Sequence, residues 1–279
     1  LFAGALTDHD SSQRALFHCI GPSVLTIQQP IEAKKAMSSI AIIGATGTIG
    51  SVLARRLVRL GHTVLLVGRN DDKLRSLSEE VGQPFVTVDM ISSQPLEAAL
   101  RAAADTQGGF HALVNCIGSI LLKPAHTTTD DDFRQVVETN LYTAFATVRV
   151  GAKLLRERGG TIILFASAAA EIGIQNHEAI AAAKSGVIGL ARSAAATYAS
   201  NNIRVNVVSP GLVRTEMTRR IWENSASANA SAQLHALGRL GEPEHVASLV
   251  SWLLESENDW ITGQVIGIDG GLGHVLPRR

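Results

Sequence analysis

From residue 38 onward, short runs of Val, Ile and Leu alternate with longer amphipathic stretches. SIAIIG, TVLLVG, FVTVD, ALVNCIG, TIILFAS and IRVNVVS read as buried strands. Helices are predicted between and after them, near 48–60, 71–81, 95–106, 130–157, 177–200 and 243–255. Strand and helix in steady alternation imply a parallel sheet with helices on both faces. Right-handed crossovers make that sheet doubly wound, a Rossmann-type α/β fold of about seven strands. Residues 37–279 show no long linker, solenoid repeat or low-complexity tract, so one domain is expected there.

The first 36 residues do not share this periodicity. They carry Asp8 and Asp10 early, then a patch of Gln28, Gln29 and Pro30. A secretory signal needs basic residues followed by an apolar run, and a transit peptide should be poor in acids. Met37 stands immediately before SSIAIIGATG. Residues 1–36 are therefore expected to be an accessory tail or translated upstream sequence, with an arm at an oligomer interface as the rival reading.

Composition narrows the partners. Lys+Arg and Asp+Glu both number 25, so the net charge is zero. That balance argues against nucleic acid or an anionic membrane as the main partner. No run reaches the roughly 18 apolar residues of a membrane span. Cys19 and Cys116 are the two cysteines, far apart in the chain. Neither a disulfide nor a metal site is expected from them.

The first strand ends in Gly44-Ala45-Thr46-Gly47-Thr48-Ile49-Gly50, followed by a helical run. Glycine there allows a tight turn and lets backbone N–H groups approach a pyrophosphate at a helix N-terminus. The strand before and the helix after raise this above a bare glycine pattern. The chain at this point resembles the short-chain dehydrogenase/reductase family, and the resemblance runs from about residue 38 to residue 272. The family's common branch has T-G-x-x-x-G-x-G. Gly44, Ile49 and Gly50 match it, but Thr48 stands at the middle glycine. The spacing Gly44, Gly47, Gly50 looks more like the family's extended branch.

The resemblance extends to the rest of a nicotinamide dinucleotide site. Thr46 lies in the phosphate turn. After the second strand come Gly68 and Arg69, where an acid would bind the ribose hydroxyls of NAD. Arg69 can instead pair with a 2′-phosphate, so NADP(H) is expected over NAD(H); the plain alternative is a solvated loop cation. Asp89 matches the acid near the adenine, and Asn115 and Gly118 match the N-A-A-G stretch. Pro210, Gly211, Val213 and Thr215, in NNIRVNVVSPGLVRTEM, match the loop beside the nicotinamide.

In the family a tyrosine, a lysine, a serine and an asparagine carry the chemistry. Lys184 matches the lysine, which also holds the nicotinamide ribose. Ser167, in ILFASAAA, matches the serine, and Asn140, in VETNLYTAF, matches the asparagine. The tyrosine position, four residues before Lys184, holds Ile180, which has no titratable proton. Tyr142 and Tyr198 are poorly placed to substitute. His177 is the better candidate, since 177, 180 and 184 share a helix face and imidazole titrates near neutrality. It could equally be a solvated histidine before the helix begins. Glu178 lies off that face.

The expected function is an NADP(H)-dependent oxidoreductase acting on a carbonyl, alcohol or activated alkene through an altered proton donor. A catalytically silent dinucleotide-binding sensor or oligomer subunit, and a non-redox lyase or isomerase, are the alternatives. The resemblance implies a homodimer or homotetramer; a small-molecule substrate and a cytoplasmic setting are expected besides. The segment IWENSASANASAQLHALG after Thr215 is expected to cover the pocket as a lid.

Overall fold

The computed structural model describes residues 38–89 and 93–276. The expected tail over 1–36, and Cys19 with it, lies outside the described residues. The strands are β1 Ser39–Ile43, β2 Thr63–Gly68, β3 Phe85–Thr87, β4 Ala112–Asn115, β5 Gly160–Phe165, β6 Ile203–Pro210 and β7 Val265–Ile268. They form one seven-stranded parallel sheet in the order β3-β2-β1-β4-β5-β6-β7. The helices are α1 Thr48–Arg59, α2 Asp71–Val81, α3 Ser93–Gln107, α4 Asp130–Val137, α5 Thr143–Leu154, α6 Glu178–Tyr198, α7 Arg219–Trp222, α8 Ser225–Leu234 and α9 Pro243–Leu254.

The period-2 geometry of a strand explains the apolar runs. On β1, Ile40 and Ile42 point to one face of the sheet and Ala41 and Ile43 to the other. The first pair packs with Leu53 and Leu57 of α1, Leu74 of α2 and Val250 of α9. The second packs with Leu96 of α3, Val148 of α5 and Val187 of α6. Both faces are thus covered, and a polar side chain buried there needs a hydrogen-bond partner.

Local capping sets several helix starts. Asn70 Oδ1 accepts from Lys73 N at 2.9 Å ahead of α2. Thr129 and Asp132 close a capping box ahead of α4. Each such cap is worth about 1 kcal/mol.

Two expectations change in detail. The single helix predicted over 130–157 is interrupted by a π-helical turn, Glu138–Tyr142, between α4 and α5. The wide turn buries Asn140. The segment after Thr215, expected to cover the pocket as a lid, is built from the two short helices α7 and α8.

Candidate active site

Every strand runs in the same direction, so their C-terminal ends share one edge. Strand order reverses between β1 and β4, and a crevice opens at that switch point. A cavity of about 510 Å³ begins there, at Gly47, Thr48 and Ile49. Gly118, Asn140, Ser167, Ile180 and Lys184 also line it, as do Pro210, Gly211, Val213 and Thr215 from the end of β6 and the loop after it.

The glycine turn fits a dinucleotide on steric grounds. Gly44 has φ +84°, and a Cβ there would lie 3.0 Å from the main chain of Cys116 and Ile117. A Cβ on Gly50 would lie 2.4 Å from Gly44 O, closer than any real contact. Helix α1 can therefore approach the turn, and its N-terminus carries no side-chain cap. Gly47 is not under such pressure, since its Cβ would sit at an ordinary 3.4 Å. Thr46 lies in the turn without lining the cavity.

Arg69 and Asp89 follow β2 and β3 on the same sheet edge, and both are exposed. They stand outside the cavity proper, on the side of the sheet away from Lys184. Asn115 is buried at the end of β4. Its Oδ1 accepts from Ile117 N at 2.9 Å and its Nδ2 donates to Thr143 Oγ1 at 3.4 Å, which braces the turn leading to Gly118.

Asn140, Gly118 and Lys184 converge. A Cβ added to Gly118 would lie 3.3 Å from Asn140 Oδ1 and 3.7 Å from Lys184 Nζ. Asn140 Oδ1 accepts from Ser119 N at 3.1 Å, and its Nδ2 donates to Ser119 Oγ and to Val136 O. Ser119 was not evident from the sequence as a partner; no spacing marks it. Ser167 lies two residues beyond β5. Its Oγ accepts from Ala169 N at 3.3 Å, which leaves the hydroxyl proton available to an oxygen in the cavity.

Lys184 Nζ donates to Phe165 O at 2.9 Å, and burial pulls its pKa from the usual 10.5 down to about 8. This makes a prediction. Below about pH 8 folded and unfolded chains both hold the proton, and the folded chain carries the full cost of the buried charge. As pH rises from about 8 toward 10.5, the folded chain releases the proton first and stability rises. Lys184→Met removes that dependence. The stability of the variant relative to the parent should fall by about 2–3 kcal/mol between about pH 7 and about pH 10. Urea midpoints at both pH values measure this, and an unchanged difference would mean that the ammonium stays hydrated.

Ile180 is 4% exposed and both lines the cavity and packs on Val136, Ala183, Leu121 and Leu141. Neither tyrosine lines the cavity. Tyr142 has its ring 6.4 Å from Phe145, and Tyr198 packs on the core. His177 is the residue just before α6, with φ −110° and ψ 13°, so the helix-face alignment does not extend to it. It nevertheless lines the cavity. Its Nδ1 lies 2.7 Å from Gln175 O, and an Nδ1–H donor there leaves Nε2 unspent. Cys116 is also in the wall; burial pushes its thiol up to about 12, so it is no nucleophile.

The loop after β6 is held by groups no local motif announces. Thr218 Oγ1 donates to Val213 O at 2.6 Å, and Trp222 Nε1 donates to Thr215 O at 2.8 Å. His235, buried after α8, accepts at Nε2 from Leu212 N at 3.1 Å, while its Nδ1–H donates to Ser231 O at 2.7 Å. One tautomer satisfies both bonds and ties α8 to the turn that follows β6.

This parallel sheet, its glycine turn and the Ser167–Lys184 cavity define a nicotinamide-type oxidoreductase scaffold. A family model described as Enoyl-(Acyl carrier protein) reductase matches residues 44–273, and the chain belongs to the short-chain dehydrogenase/reductase family. Carbonyl reductase family member 4 of Xenopus laevis is 32% identical over 238 residues, covering 83% of this chain and 96% of that protein. The 3-oxoacyl-(acyl-carrier-protein) reductase MabA of Mycobacterium tuberculosis is 32% identical over 236 residues, covering 84% of this chain and 92% of that protein. A solved short-chain type dehydrogenase/reductase from Mycobacterium ulcerans superposes with a TM-score of 0.82 at 28% identity, covering 86% of this chain and 91% of that one. Among the described residues no helix is long and apolar enough to cross a membrane.

Proposed function

We propose that this chain is an NADP(H)-dependent oxidoreductase for an apolar substrate bearing a carbonyl, alcohol or activated C=C group, with proton delivery that does not pass through residue 180. The observation that carries the reading is the single cavity joining the glycine turn to Ser167 and Lys184. When bound, the dinucleotide supplies or accepts the hydride. Preference for the 2′-phosphate rests on Gly68 and Arg69, which put a guanidinium and no carboxylate at the end of β2. Lys184 is assigned to the nicotinamide ribose, and Val213 and Thr215 to its carboxamide.

The far part of the cavity is lined by Ile120, Leu122, Ile174, Ile180, Ile221 and Leu234. A wall of that kind favours an apolar substrate body, because each buried apolar group gains about 25 cal/mol per Å² removed from water. Ser167 can donate to the substrate oxygen. His177, at the wall with Nε2 unspent, is the side chain assigned to move a proton to or from that oxygen. An activated alkene suits the site well, since charge developing on it spreads over a conjugated group.

The test is a fluorescence titration with NADPH beside NADH, followed by a screen of apolar enones and ketones for stoichiometric NADPH oxidation. NADPH should bind at least about tenfold more tightly, the usual worth of a charge-assisted phosphate contact. Arg69→Ala should erase that preference. Binding of neither nucleotide would overturn the proposal. Equal turnover by His177→Ala would remove the histidine from the proton route.

A further inference from the structure

Thr48 occupies the position where the resemblance expects the middle glycine, and its side chain does something a glycine cannot. It is the first residue of α1, on the phosphate-turn side of the cavity. Its Oγ1 accepts a hydrogen bond from Glu216 N at 3.1 Å. Glu216 belongs to the loop after β6 and also lines the cavity. The bond therefore spans the cleft between two elements 168 residues apart in sequence.

Both ends of this bond are well anchored. On one side, Ser51 Oγ donates to Thr48 O at 3.2 Å, and Ser51 N donates to Gly47 O at 2.8 Å, which fixes the first turn of α1. On the other, Thr215 N donates to Thr218 Oγ1 at 3.1 Å, and Trp222 Nε1 caps Thr215 O, so the main chain entering Glu216 is fixed. The Glu216 carboxylate turns away to Arg219, at 3.2 Å, leaving only its N–H toward Thr48. Loop and turn are each braced by their own hydrogen bonds, and the Thr48–Glu216 bond joins them.

We propose that this bond is a clasp over the dinucleotide cleft, making Thr48 a positioning residue that sets how fast cofactor enters and leaves. The inference rests on the dinucleotide reading above. A nucleotide whose pyrophosphate meets the turn and whose nicotinamide meets Val213 and Thr215 must pass between the two walls. Passage requires the α1 head and the 213–218 loop to part, which breaks the Thr48–Glu216 bond. Once the nucleotide is seated, the bond re-forms and the walls are rejoined. The clasp exists with and without cofactor, so it raises the barrier in both directions and leaves the equilibrium nearly unchanged.

Thr48→Val tests this, because it keeps the side-chain shape and deletes the acceptor. Thr48→Ser restores the acceptor. Stopped-flow NADPH binding should show association and dissociation both faster by about 3–10-fold in Thr48→Val, the usual net worth of one hydrogen bond. Thr48→Ser should behave as the parent, and the dissociation constant should change less than about twofold in either. Amide exchange across the 213–222 segment, in protein without nucleotide, reads the same bond independently. The Glu216 amide should lose about 3–10-fold of protection in Thr48→Val alone.

Unchanged exchange and unchanged rates, with normal NADPH binding, would overturn the clasp and leave the dinucleotide reading intact. Faster dissociation alone, with affinity weakened in proportion, would also overturn it, and would make Thr48 a direct ligand of the phosphates. Lost protection in a protein that binds no nucleotide would overturn the dinucleotide reading, and the gate with it.

Discussion

Ile180→Tyr should raise NADPH-dependent ketone reduction by about 10²–10⁴-fold, the usual contribution of a positioned general acid. The surroundings already suit a phenol. Position 180 lies one helical turn before Lys184, whose ammonium is fixed at 2.9 Å from Phe165 O. Ser167 lines the same cavity wall, with its hydroxyl proton unspent. A nearby ammonium favours the phenolate and so lowers the phenol pKa toward the working range. The substitution has a cost, because Ile180 packs on Val136, Ala183, Leu121 and Leu141. A larger ring there should cost about 1–3 kcal/mol of stability. Initial rates with a panel of ketones, and thermal midpoints, measure both effects. Ile180→Phe carries the same bulk without the proton and should show the loss of stability alone. A folded, NADPH-binding Ile180→Tyr with no gain would mean that the substrate oxygen is not presented to this position.

Gly50→Ala should cost about 1–3 kcal/mol of stability and weaken dinucleotide binding by about 100-fold or more. A Cβ at this position meets Gly44 O at 2.4 Å and Ala45 Cα at 3.0 Å. Neither is the end of a flexible side chain, so main chain must move. Either α1 backs away from the sheet or the turn opens, and both displace the N–H groups that would face the pyrophosphate. Gly189→Ala is the control. Gly189 lies in α6 with nothing within 4 Å of its added Cβ, and alanine there should stabilise by about 0.5–1 kcal/mol. Chemical denaturation and NADPH titration of the two variants give the comparison. Equal behaviour would mean that the turn relaxes freely and that the close approach carries no function.

The fold was legible because its signals are local. Buried parallel strands are short apolar runs, and the helices between them repeat at 3.6. Both periods can be read within a few residues, as can Gly44 and Gly50 between a strand and a helix. Element ends were read less well: β3 keeps only Phe85–Thr87, and the helix over 130–157 broke at the π turn. No residue near Asn140 signals that interruption. It follows from seating the Asn140 side chain against Ser119 and Val136 O rather than outward.

The candidate site was legible in part, and the division has the same cause. Lys184 and the vacancy of a proton at Ile180 are sequence facts, fixed by a spacing of four on one helix. Their consequences are tertiary. The pKa of Lys184 is lowered to about 8 only because the fold buries the amine beside the end of β5. His177 reaches the cavity from outside the helix that was expected to orient it. Tyr142 was discounted by helical geometry, and the ring does pack on Phe145 instead.

What the sequence by itself determined is the set of elements, their order and the chemistry carried at each strand end. A parallel sheet of β-α-β units must bring those ends to one edge, so the location of the site followed as well. Only the tertiary structure decided which groups meet across it: Thr48 with Glu216, His235 with Leu212, Asn140 with Ser119. These pairs join residues between 21 and 168 positions apart, and a hydrogen bond of that span leaves no period or spacing in the chain. Each depends on how closely two packed elements approach, which is set by the side-chain volumes of the whole core and not by the residues that finally touch.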